Sequence, residues 1–515
     1  MRISLVQMKP KIGNIEENKK KIIELYSKSH SEIVVFPELS LTGYIPKDLL
    51  LSKKFIQNTQ NALNEILPHI GERICIIPMP YFEKNKLYNS SIVLQNRNII
   101  SKSFKKHIPN YDIFEEKRYF SSGNSSIFEF GGMKFGLPIC EDIWFEDVCM
   151  ELKNQGADLL IVANASPFDY QKIEKRKKII EQRFNETQMP IVYVNQVCCQ
   201  DGILFDGTSF VFDGKNYFFA SSFQEDILNV VFNDNCFTAI NSTVLQSNEA
   251  LVLNALIFGL KEYVLLSGFK KVVLGISGGA DSALVSVLAV KAFGASNVLG
   301  VFMPSQFTSQ ESFNDAKQLC ENLEIEMQTI SIQKPLEGFL EILNLEGIAG
   351  ENIQARIRGN ILMAISNQEN AMVLTTGNKS EIAVGYCTIY GDMCGGYNPI
   401  KDLYKTQVFE MMKYINTKQI AKIPENIITK PPTAELRYNQ KDSDSLPKYE
   451  ILDSILIQLI EQGKLVEEID NFPVEIVQKI GKLVKNSEHK RNQSTCGTRI
   501  SVKSFEKSDR KMNIV

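Results

Sequence analysis

The sequence is poor in the residues that build disulfide frameworks, zinc sites and histidine-based catalysis. Its 515 residues include ten cysteines, four histidines and one tryptophan. Ten cysteines in a chain of this length exclude a dense disulfide framework, and the absence of any CxxC pair leaves no zinc signal. We therefore expect reduced thiols, as in a cytoplasm.

Long apolar runs and a strong charge of either sign are also missing. The first ten residues contain no long apolar stretch, so we expect no signal peptide. The most apolar central segment, residues 251–266, carries Lys261 and Glu262 and is too short to span a bilayer. A net charge of −3 excludes general attraction to nucleic acid or to a membrane surface. We predict a cytoplasmic protein without nucleic-acid or membrane partners.

The amino-acid composition and the length are typical of a globular protein with more than one hydrophobic core. Hydrophobic residues make up 44% of the chain and charged residues 23%, which is typical of soluble domains. A chain of 515 residues is too long for one hydrophobic core. We predict two domains, residues 1–243 and residues 244–515.

The most informative stretch is residues 275–284, GISGGADSAL, which lies between two apolar runs. That order predicts a strand, a glycine turn and a helix, whose free N–H groups form an anion site. The pattern is not a Walker A motif, because Asp281 stands where that motif has lysine. A carboxylate beside a polyphosphate needs a cation between them, so Asp281 implies Mg²⁺. The alternative is an ordinary tight turn capped by Ser and Asp.

This stretch resembles the pyrophosphate loop of ATP pyrophosphatases, which cleave ATP between the α and β phosphates and form an adenylate. The resemblance implies that ATP is a co-substrate. It assigns ATP binding to Gly275, Ile276, Ser277, Gly278, Gly279, Ala280, Asp281, Ser282 and Thr376.

In the first half, strands alternate with helices, which predicts an α/β domain. Three polar residues, Glu38, Lys105 and Cys140, stand at the ends of predicted elements. A thiol at a strand-to-helix junction can gain thiolate character from the helix, but a nucleophile also needs a base. No histidine is close to Cys140 in sequence, so a distant histidine and Glu38 compete for that role. Taken singly, each residue also fits a structural role, as a buried thiol, a cap and a solvated charge.

The phrases around these residues, 36–40 (FPELS), 104–120 (FKKHIPNYDIFEEKRYF) and 136–144 (GLPICEDIW), resemble the nitrilase family. They are more similar still to the glutamine-hydrolysing part of the glutamine-dependent NAD⁺ synthetase family. The resemblance implies a four-layer α-β-β-α sandwich with Cys140 as nucleophile, Glu38 as general base and Lys105 as oxyanion stabiliser. His107 is the rival base. The resemblance further implies that glutamine is held by Tyr111, Glu141, Ser166 and Lys172.

One pair of residues departs from the family pattern. Cys198 and Cys199 stand where the family usually has two glycines. We interpret them as two small residues tolerated in a turn, rather than as a redox switch.

The second half repeats a β-α pattern, which predicts an open parallel sheet with helices on both faces. Ligands bind such sheets at the carboxyl ends of the strands. Residues 352–360, 375–390 and 431–437 resemble the synthetase part of the same family. The resemblance assigns Mg²⁺ to Asp281 and Glu381. It assigns deamido-NAD⁺ to Asn352, Arg356, Glu381, Lys405 and Lys490.

The resemblance covers nearly the whole chain and implies a C–N ligase. The substrates would be glutamine or ammonia, ATP and deamido-NAD⁺, and the assembly a homo-oligomer, a dimer or larger. Another glutamine-fed ATP pyrophosphatase, such as a GMP synthetase, disagrees with the nitrilase-like half and with residues 375–390. A catalytically silent binding module disagrees with the presence of every candidate catalytic residue.

Overall fold

The computed structural model describes residues 1–200, 202–438, 440, 442 and 446–506. The described chain packs as two compact units. The first comprises residues 1–198 with 204–247, and the second comprises residues 199–203 with the described residues from Asn248 onward. Across the described residues, no helix is both long enough and apolar enough to cross a membrane.

Up to residue 247 the chain alternates strands and helices. The helices are α1 (Ile15–Lys28), α2 (Lys53–Ile66), α3 (Glu146–Asn154) and α4 (Lys172–Thr187). Short 3₁₀ turns cover Lys47–Leu51, Leu67–His69, Glu116–Arg118 and Cys140–Trp144. The strands are β1 (Arg2–Gln7), β2 (Ile33–Val35), β3 (Ile74–Glu83), β4 (Lys86–Gln95), β5 (Asn98–Phe104), β6 (Ile127–Phe130), β7 (Met133–Gly136), β8 (Leu159–Asn164), β9 (Ile191–Asn195), β10 (Val197–Gln200), β11 (Ile203–Asp206), β12 (Phe210–Phe212), β13 (Tyr217–Phe219), β14 (Asp226–Asn233) and β15 (Cys236–Ala239).

Two mixed sheets form the centre of the first unit. One has the strand order β15-β14-β1-β2-β3-β4-β5, and the other has the order β13-β12-β9-β8-β7-β6. Strand β1 runs parallel to β2, and β8 runs parallel to both β7 and β9. Strands β10 and β11 form a separate pair.

The alternation of side chains along the strands explains why this unit has four layers. Ile33 and Val35 of β2 pack into a core shared with Ile161 of the other sheet. Val34, between them, packs on the opposite face with Ile22 of α1 and Leu63 of α2. Because successive strand residues point to opposite faces, one apolar strand serves both layers. The predicted α-β-β-α sandwich is confirmed.

The second unit contains the remaining elements. Its strands are β16 (Lys271–Gly275), β17 (Val298–Phe302), β18 (Glu326–Thr329) and β19 (Ala371–Leu374). Its helices are α5 (Asn248–Leu266), α6 (Ala280–Phe293), α7 (Gln310–Leu323), α8 (Gln333–Leu343), α9 (Gly347–Glu369), α10 (Lys379–Val384), α11 (Lys405–Thr417), α12 (Glu425–Thr429), α13 (Tyr449–Leu456), α14 (Val474–Asn486) and α15 (Glu488–Arg491).

The four strands form one parallel sheet in the order β18-β17-β16-β19. Helices α8 and α9 cover one face, where Leu336 and Leu362 pack with Val273 of β16. Helix α6, which is apolar nearly all round, contacts β16 and β17 and is itself packed against α5 and α11. A helix without a polar face belongs in the interior. The predicted open parallel sheet is confirmed.

Local signals in the sequence account for several helix starts. The side chain of Asn14 accepts a hydrogen bond from the Glu17 N–H at the start of α1, and Ser309 does the same for Ser312 at α7. These caps satisfy N–H groups that have no partner inside the helix.

A 3₁₀ turn, Cys140–Trp144, precedes helix α3, which begins at Glu146. One local prediction is wrong. Cys198 and Cys199 are buried in strand β10 and do not form a turn. Small side chains that pack in a strand and small side chains in a turn look alike in sequence.

Candidate active sites

Three predicted catalytic residues of the first unit meet where strands end. Glu38 follows β2, Lys105 directly follows β5, and Cys140 opens the 3₁₀ turn beyond β7. Lys105 Nζ donates a hydrogen bond of 2.8 Å to Glu38 Oε1, and both side chains are fully buried. The structure therefore brings this lysine and this carboxylate into direct contact.

A second carboxylate, Glu116, completes this cluster and was missed in the sequence. Lys105 Nζ also donates to Glu116 Oε1 at 2.8 Å, and the Tyr44 hydroxyl donates to the same oxygen at 2.7 Å. Asn89 Nδ2 donates to Glu38 Oε1 at 2.7 Å. Burial raises the pKa of Glu116. The positive charge of Lys105 opposes this shift, and the negative charge of Glu38 adds to it. Glu116 lies within residues 104–120, but in the run EEKR it resembles a solvated surface charge.

Cys140 has a strained backbone conformation and lies near the Glu38 carboxylate. Its φ is +46°, in the left-handed region that a residue with a Cβ seldom adopts. The Ala165 N–H donates to Glu38 Oε2 at 2.9 Å and also hydrogen-bonds the thiol. Burial raises the pKa of Cys140 well above its usual value, Glu38 raises it further, and Lys105 lowers it.

A helix N-terminus does not supply thiolate character to Cys140 here. The following α-helix begins only at Glu146, and burial raises the pKa of the thiol, which favours its protonated form. A protonated thiol becomes a nucleophile only if a base takes its proton.

The rival base, His107, faces away from this cluster. Its Nε2 lies 2.8 Å from Asp147 Oδ1, and its ring stacks on Phe145 at 3.9 Å between centroids. Its backbone N–H and that of Lys106 donate to Asp142 Oδ1 at 2.8 and 3.0 Å. Asp142 thus ties the segment after Lys105 to the turn that carries Cys140, and sequence inspection missed it.

The four predicted glutamine-binding residues are placed in two groups. The Tyr111 hydroxyl donates to Glu141 Oε2 at 2.9 Å, and both residues line an open pocket of about 680 Å³. Ser166 Oγ accepts from Arg176 Nε at 3.1 Å. Lys172 Nζ lies 5.0 Å from the ring centroid of Trp144, and burial lowers its pKa, with Arg176 adding to the shift.

Arg176 is a further residue that the sequence did not reveal. It is fully buried and forms two parallel hydrogen bonds to Asp206, of 2.9 and 2.8 Å. It also donates to the Ser166 carbonyl at 2.7 Å, so it holds both the backbone and the side chain of Ser166. In the sequence Arg176 is one cation of a strongly basic helix, and only the packing distinguishes it from its solvated neighbours.

In the second unit, the glycine loop connects β16 to α6 as predicted. Gly278 has φ +77°, and a Cβ there would lie 2.3 Å from the Ser312 carbonyl oxygen. Ser277 Oγ and Ser282 Oγ are 3.2 Å apart, which closes the loop internally. The loop lines a cavity of about 310 Å³, as do Thr376, Glu381 and Lys405.

Two carboxylates and a lysine meet on the wall of this cavity. Lys405 Nζ binds Asp281 Oδ2 and lies 3.4 Å from Glu381 Oε1. Asn378 Nδ2 donates to Asp281 Oδ1 at 3.0 Å, and the Glu381 N–H donates to Asn378 Oδ1 at 3.0 Å. Burial and the Asp281 charge raise the pKa of Glu381 to about 8, although Lys405 opposes this. One lysine does not compensate both carboxylates.

This donor set fits Mg²⁺. Asp281 and Glu381 supply hard carboxylate oxygens, which this cation prefers, and their mutual repulsion favours a further positive charge. No group of three or more potential metal-ligating side chains occurs among the residues described. Mg²⁺ commonly binds through one or two carboxylates, with phosphates and water completing its coordination.

The other three predicted dinucleotide-binding residues do not line this cavity, but all of them contact one segment. Asn352 Oδ1 accepts from Thr388 Oγ1 at 2.7 Å, and Arg356 Nε donates to the Ile389 carbonyl at 3.3 Å. Lys490 Nζ donates to the carbonyls of Gly385 and Cys387, both at 2.7 Å. The three residues thus share residues 385–389 as their common neighbour.

Both halves of the chain match known protein families. Residues 2–230 match the family described as carbon-nitrogen hydrolase, and residues 252–494 match the family described as NAD synthase. The chain is therefore a fusion of an amide-hydrolysing nitrilase-type part with an NAD synthase part.

Relatives that align with nearly the whole chain identify the family more specifically. A glutamine-dependent NAD⁺ synthetase of Rhodobacter capsulatus is 40% identical over 531 residues, which span 98% of this chain and 96% of the relative. One from Acinetobacter baylyi is 39% identical over 527 residues, or 99% and 97% of the two chains. The solved enzyme of Acinetobacter baumannii in complex with ADP is 36% identical, with a TM-score of 0.81 over 100% of this chain and 98% of that one.

The chain belongs to the glutamine-dependent NAD⁺ synthetase family. The family and ligase class predicted from the sequence are confirmed.

The steric role of Gly278 can be tested with a matched glycine. Gly278→Ala and Gly268→Ala introduce the same side chain at similar φ, +77° and +85°, but a Cβ at Gly268 meets nothing within 4 Å. Both variants carry the left-handed backbone penalty of about 1–2 kcal/mol. Gly278→Ala must in addition displace the Ser312 carbonyl. We expect Gly278→Ala to lower the thermal unfolding midpoint further than the control variant does, as measured by differential scanning calorimetry. Equal behaviour of the two variants would contradict the steric role.

Proposed function

We propose that this chain synthesises NAD⁺ from deamido-NAD⁺, ATP and glutamine, releasing AMP, pyrophosphate and glutamate. The 40% identity over 98% of the chain supports this activity most strongly. The contacts within each of the two residue clusters fit the two half-reactions.

Residues 1–243 form the glutamine amidohydrolase in this proposal. Glu38 removes the proton of the Cys140 thiol, and the thiolate attacks the glutamine amide carbon. Lys105, held between Glu38 and Glu116, supplies positive charge to the developing oxyanion. Glu38 returns the proton to the amide nitrogen, the C–N bond breaks and ammonia leaves, and water then hydrolyses the thioester to glutamate and the free thiol. Glutamine is held by Tyr111, Glu141, Ser166 and Lys172.

Residues 244–515 form the synthetase. ATP occupies the cavity at the glycine loop, where its phosphates meet the free N–H groups at the start of α6. Asp281 and Glu381 hold Mg²⁺, which when bound neutralises phosphate charge and favours departure of pyrophosphate. Adenylylation converts the inert nicotinate carboxylate into one with a good leaving group. ATP is contacted by Gly275, Ile276, Ser277, Gly278, Gly279, Ala280, Asp281, Ser282 and Thr376.

Deamido-NAD⁺ binds next to this cavity in the proposal. Glu381 and Lys405 lie on the cavity wall, and Asn352, Arg356 and Lys490 surround residues 385–389. Ammonia attacks the adenylate carbonyl, and AMP leaves.

The protein is expected to act in the cytoplasm as a homo-oligomer, a dimer or larger, with small molecules as substrates and no nucleic-acid or membrane partner. Exposed apolar side chains of α8 and α9 support self-association: Ile342 is 79% exposed, Leu343 53% and Ile348 75%. Measurement of the molar mass in solution tests this part of the proposal.

Cys140→Ala separates the two half-reactions. The variant lacks the nucleophile, and no neighbouring group can replace it. We expect it to lose NAD⁺ synthesis from glutamine and to retain synthesis from high concentrations of ammonium. Cys149→Ala is the matched control, since Cys149 is also buried but lies in α3. The proposal would be falsified if Cys140→Ala turned over glutamine at the wild-type rate.

Glu38→Gln tests the identity of the base. The amide keeps the shape of the side chain but cannot accept a proton, so hydrolysis of glutamine should fall by about 10²- to 10⁴-fold. His107→Gln should have a much smaller effect, because its ring faces Asp147. Single-turnover acylation of Cys140 measures both rates. The reverse ranking would favour a Cys–His mechanism.

Asp281→Asn tests the metal role. An amide does not supply the charge that a hard cation requires, so synthesis from both glutamine and ammonium should be lost. Hydrolysis of glutamine should persist at least at a basal rate. Asp470→Asn, an exposed position in the same unit, is the control and should remain active. Normal NAD⁺ formation by a folded Asp281→Asn protein would contradict the assignment.

A further inference from the structure

The cavity at the glycine loop is lined by three cationic side chains, Arg358, Lys405 and Lys430. Lys405 is occupied by Asp281 and Glu381. Lys430 Nζ lies 2.6 Å from Asp315 Oδ2. Among the described residues, Arg358 is therefore the lining cation that forms no salt bridge with a carboxylate.

Arg358 lies on the face of α9 that borders the cavity. Ala355, Gly359 and Leu362 of the same helix also line it. Arg358 Nε donates a hydrogen bond of 3.0 Å to the carbonyl of Met303, the residue after β17. Within the described part of the chain, the two terminal NH₂ groups have no hydrogen-bond partner. One edge of the guanidinium is thus fixed by the protein, and the other is free to bind a ligand.

The environment of Arg358 is unfavourable for a cation when no ligand is bound. Burial lowers the pKa of Arg358 to about 10, and Glu435 opposes this shift. The Glu435 carboxylate is already engaged, because its Oε1 accepts from Ser309 Oγ at 2.7 Å and from Ser312 Oγ at 2.9 Å. Arg358 is partly buried, and a charge that is partly desolvated without a paired carboxylate destabilises the folded state.

We propose that Arg358 binds the α- or β-phosphate of ATP through its two terminal NH₂ groups. The inference rests on the proposed function, since it assumes that ATP occupies this cavity. The planar guanidinium matches two phosphate oxygens in a fixed fork, and such charged hydrogen bonds are the stronger kind. The anion also supplies the missing countercharge.

The neighbouring arginine of α9 is oriented differently. Arg356 lies about 200° away around the helix, at two residues' separation. Its Nε donates to the Ile389 carbonyl, and it is not among the residues that line the cavity. The same segment, NIQARIRGN, therefore carries one arginine for residues 385–389 and another for the phosphates.

Calorimetric titration of the full chain with ADP and with adenosine, at saturating Mg²⁺, tests this inference. Arg358→Gln should weaken ADP binding by about 10- to 100-fold, as expected for lost hydrogen bonds to a charged group. Adenosine has no phosphate, so its affinity should not change. Arg358→Lys retains the charge without the fork and should recover part of the loss. Lys271→Gln removes an exposed charge of the same unit and should match the wild type.

A thermal scan without nucleotide separates ligand binding from a structural role. Removal of a partly buried charge that has no paired carboxylate should leave the unfolding midpoint of Arg358→Gln unchanged or raise it. Unchanged ADP affinity, an equal loss for adenosine and ADP, or a lowered midpoint with weaker adenosine binding would each overturn the role of Arg358. Failure of the wild-type chain to bind ADP would instead overturn the nucleotide site of the proposed function, and this inference with it.

Discussion

Three deeply buried lysines of this protein each contact two carboxylates. Lys105 contacts Glu38 and Glu116, Lys405 contacts Asp281 and Glu381, and Lys379 contacts Asp402 and Glu461. Each lysine is at most 4% exposed at its side chain. A buried charge is tolerated only when it is paired and hydrogen-bonded, so these clusters constrain the loops that carry their members.

Two of the clusters coincide with the candidate sites, and each of these two contains a carboxylate with a raised pKa. In the first unit the second carboxylate shares one lysine with Glu38, and burial raises the pKa of Glu116. In the second unit the same arrangement raises the pKa of Glu381 to about 8. A carboxylate without full compensation can accept a proton or a metal ion, and these are the tasks proposed for the two sites.

The third cluster has a structural role. Lys379 begins α10 and donates hydrogen bonds of 2.7 Å to Ser501 Oγ and to the Lys503 carbonyl. Asp402 in turn accepts from the N–H groups of Ile500 and Ser501, at 2.8 and 2.7 Å. Residues near the end of the described chain thereby hold in place helix α10, which contains Glu381. The position of a cavity-lining carboxylate depends on a segment 120 residues further along the chain, as the Lys379–Ser501 separation of 122 residues illustrates.

The sequence by itself determined the fold class, the family and most of the candidate residues, because these depend on local patterns. Apolar runs of alternating period specify strands, and the glycine loop specifies the turn before α6. The sequence could not distinguish Glu116, Arg176 and Arg358 from solvated charges. A charged residue looks the same in sequence whatever its burial in the fold. Tertiary structure alone decided which lysine meets which carboxylate and that the Cys140 thiol is buried and protonated. The physical reason is that burial and charge pairing are set by residues distant in the chain, here 67 positions apart for Lys105 and Glu38 and 124 for Lys405 and Asp281.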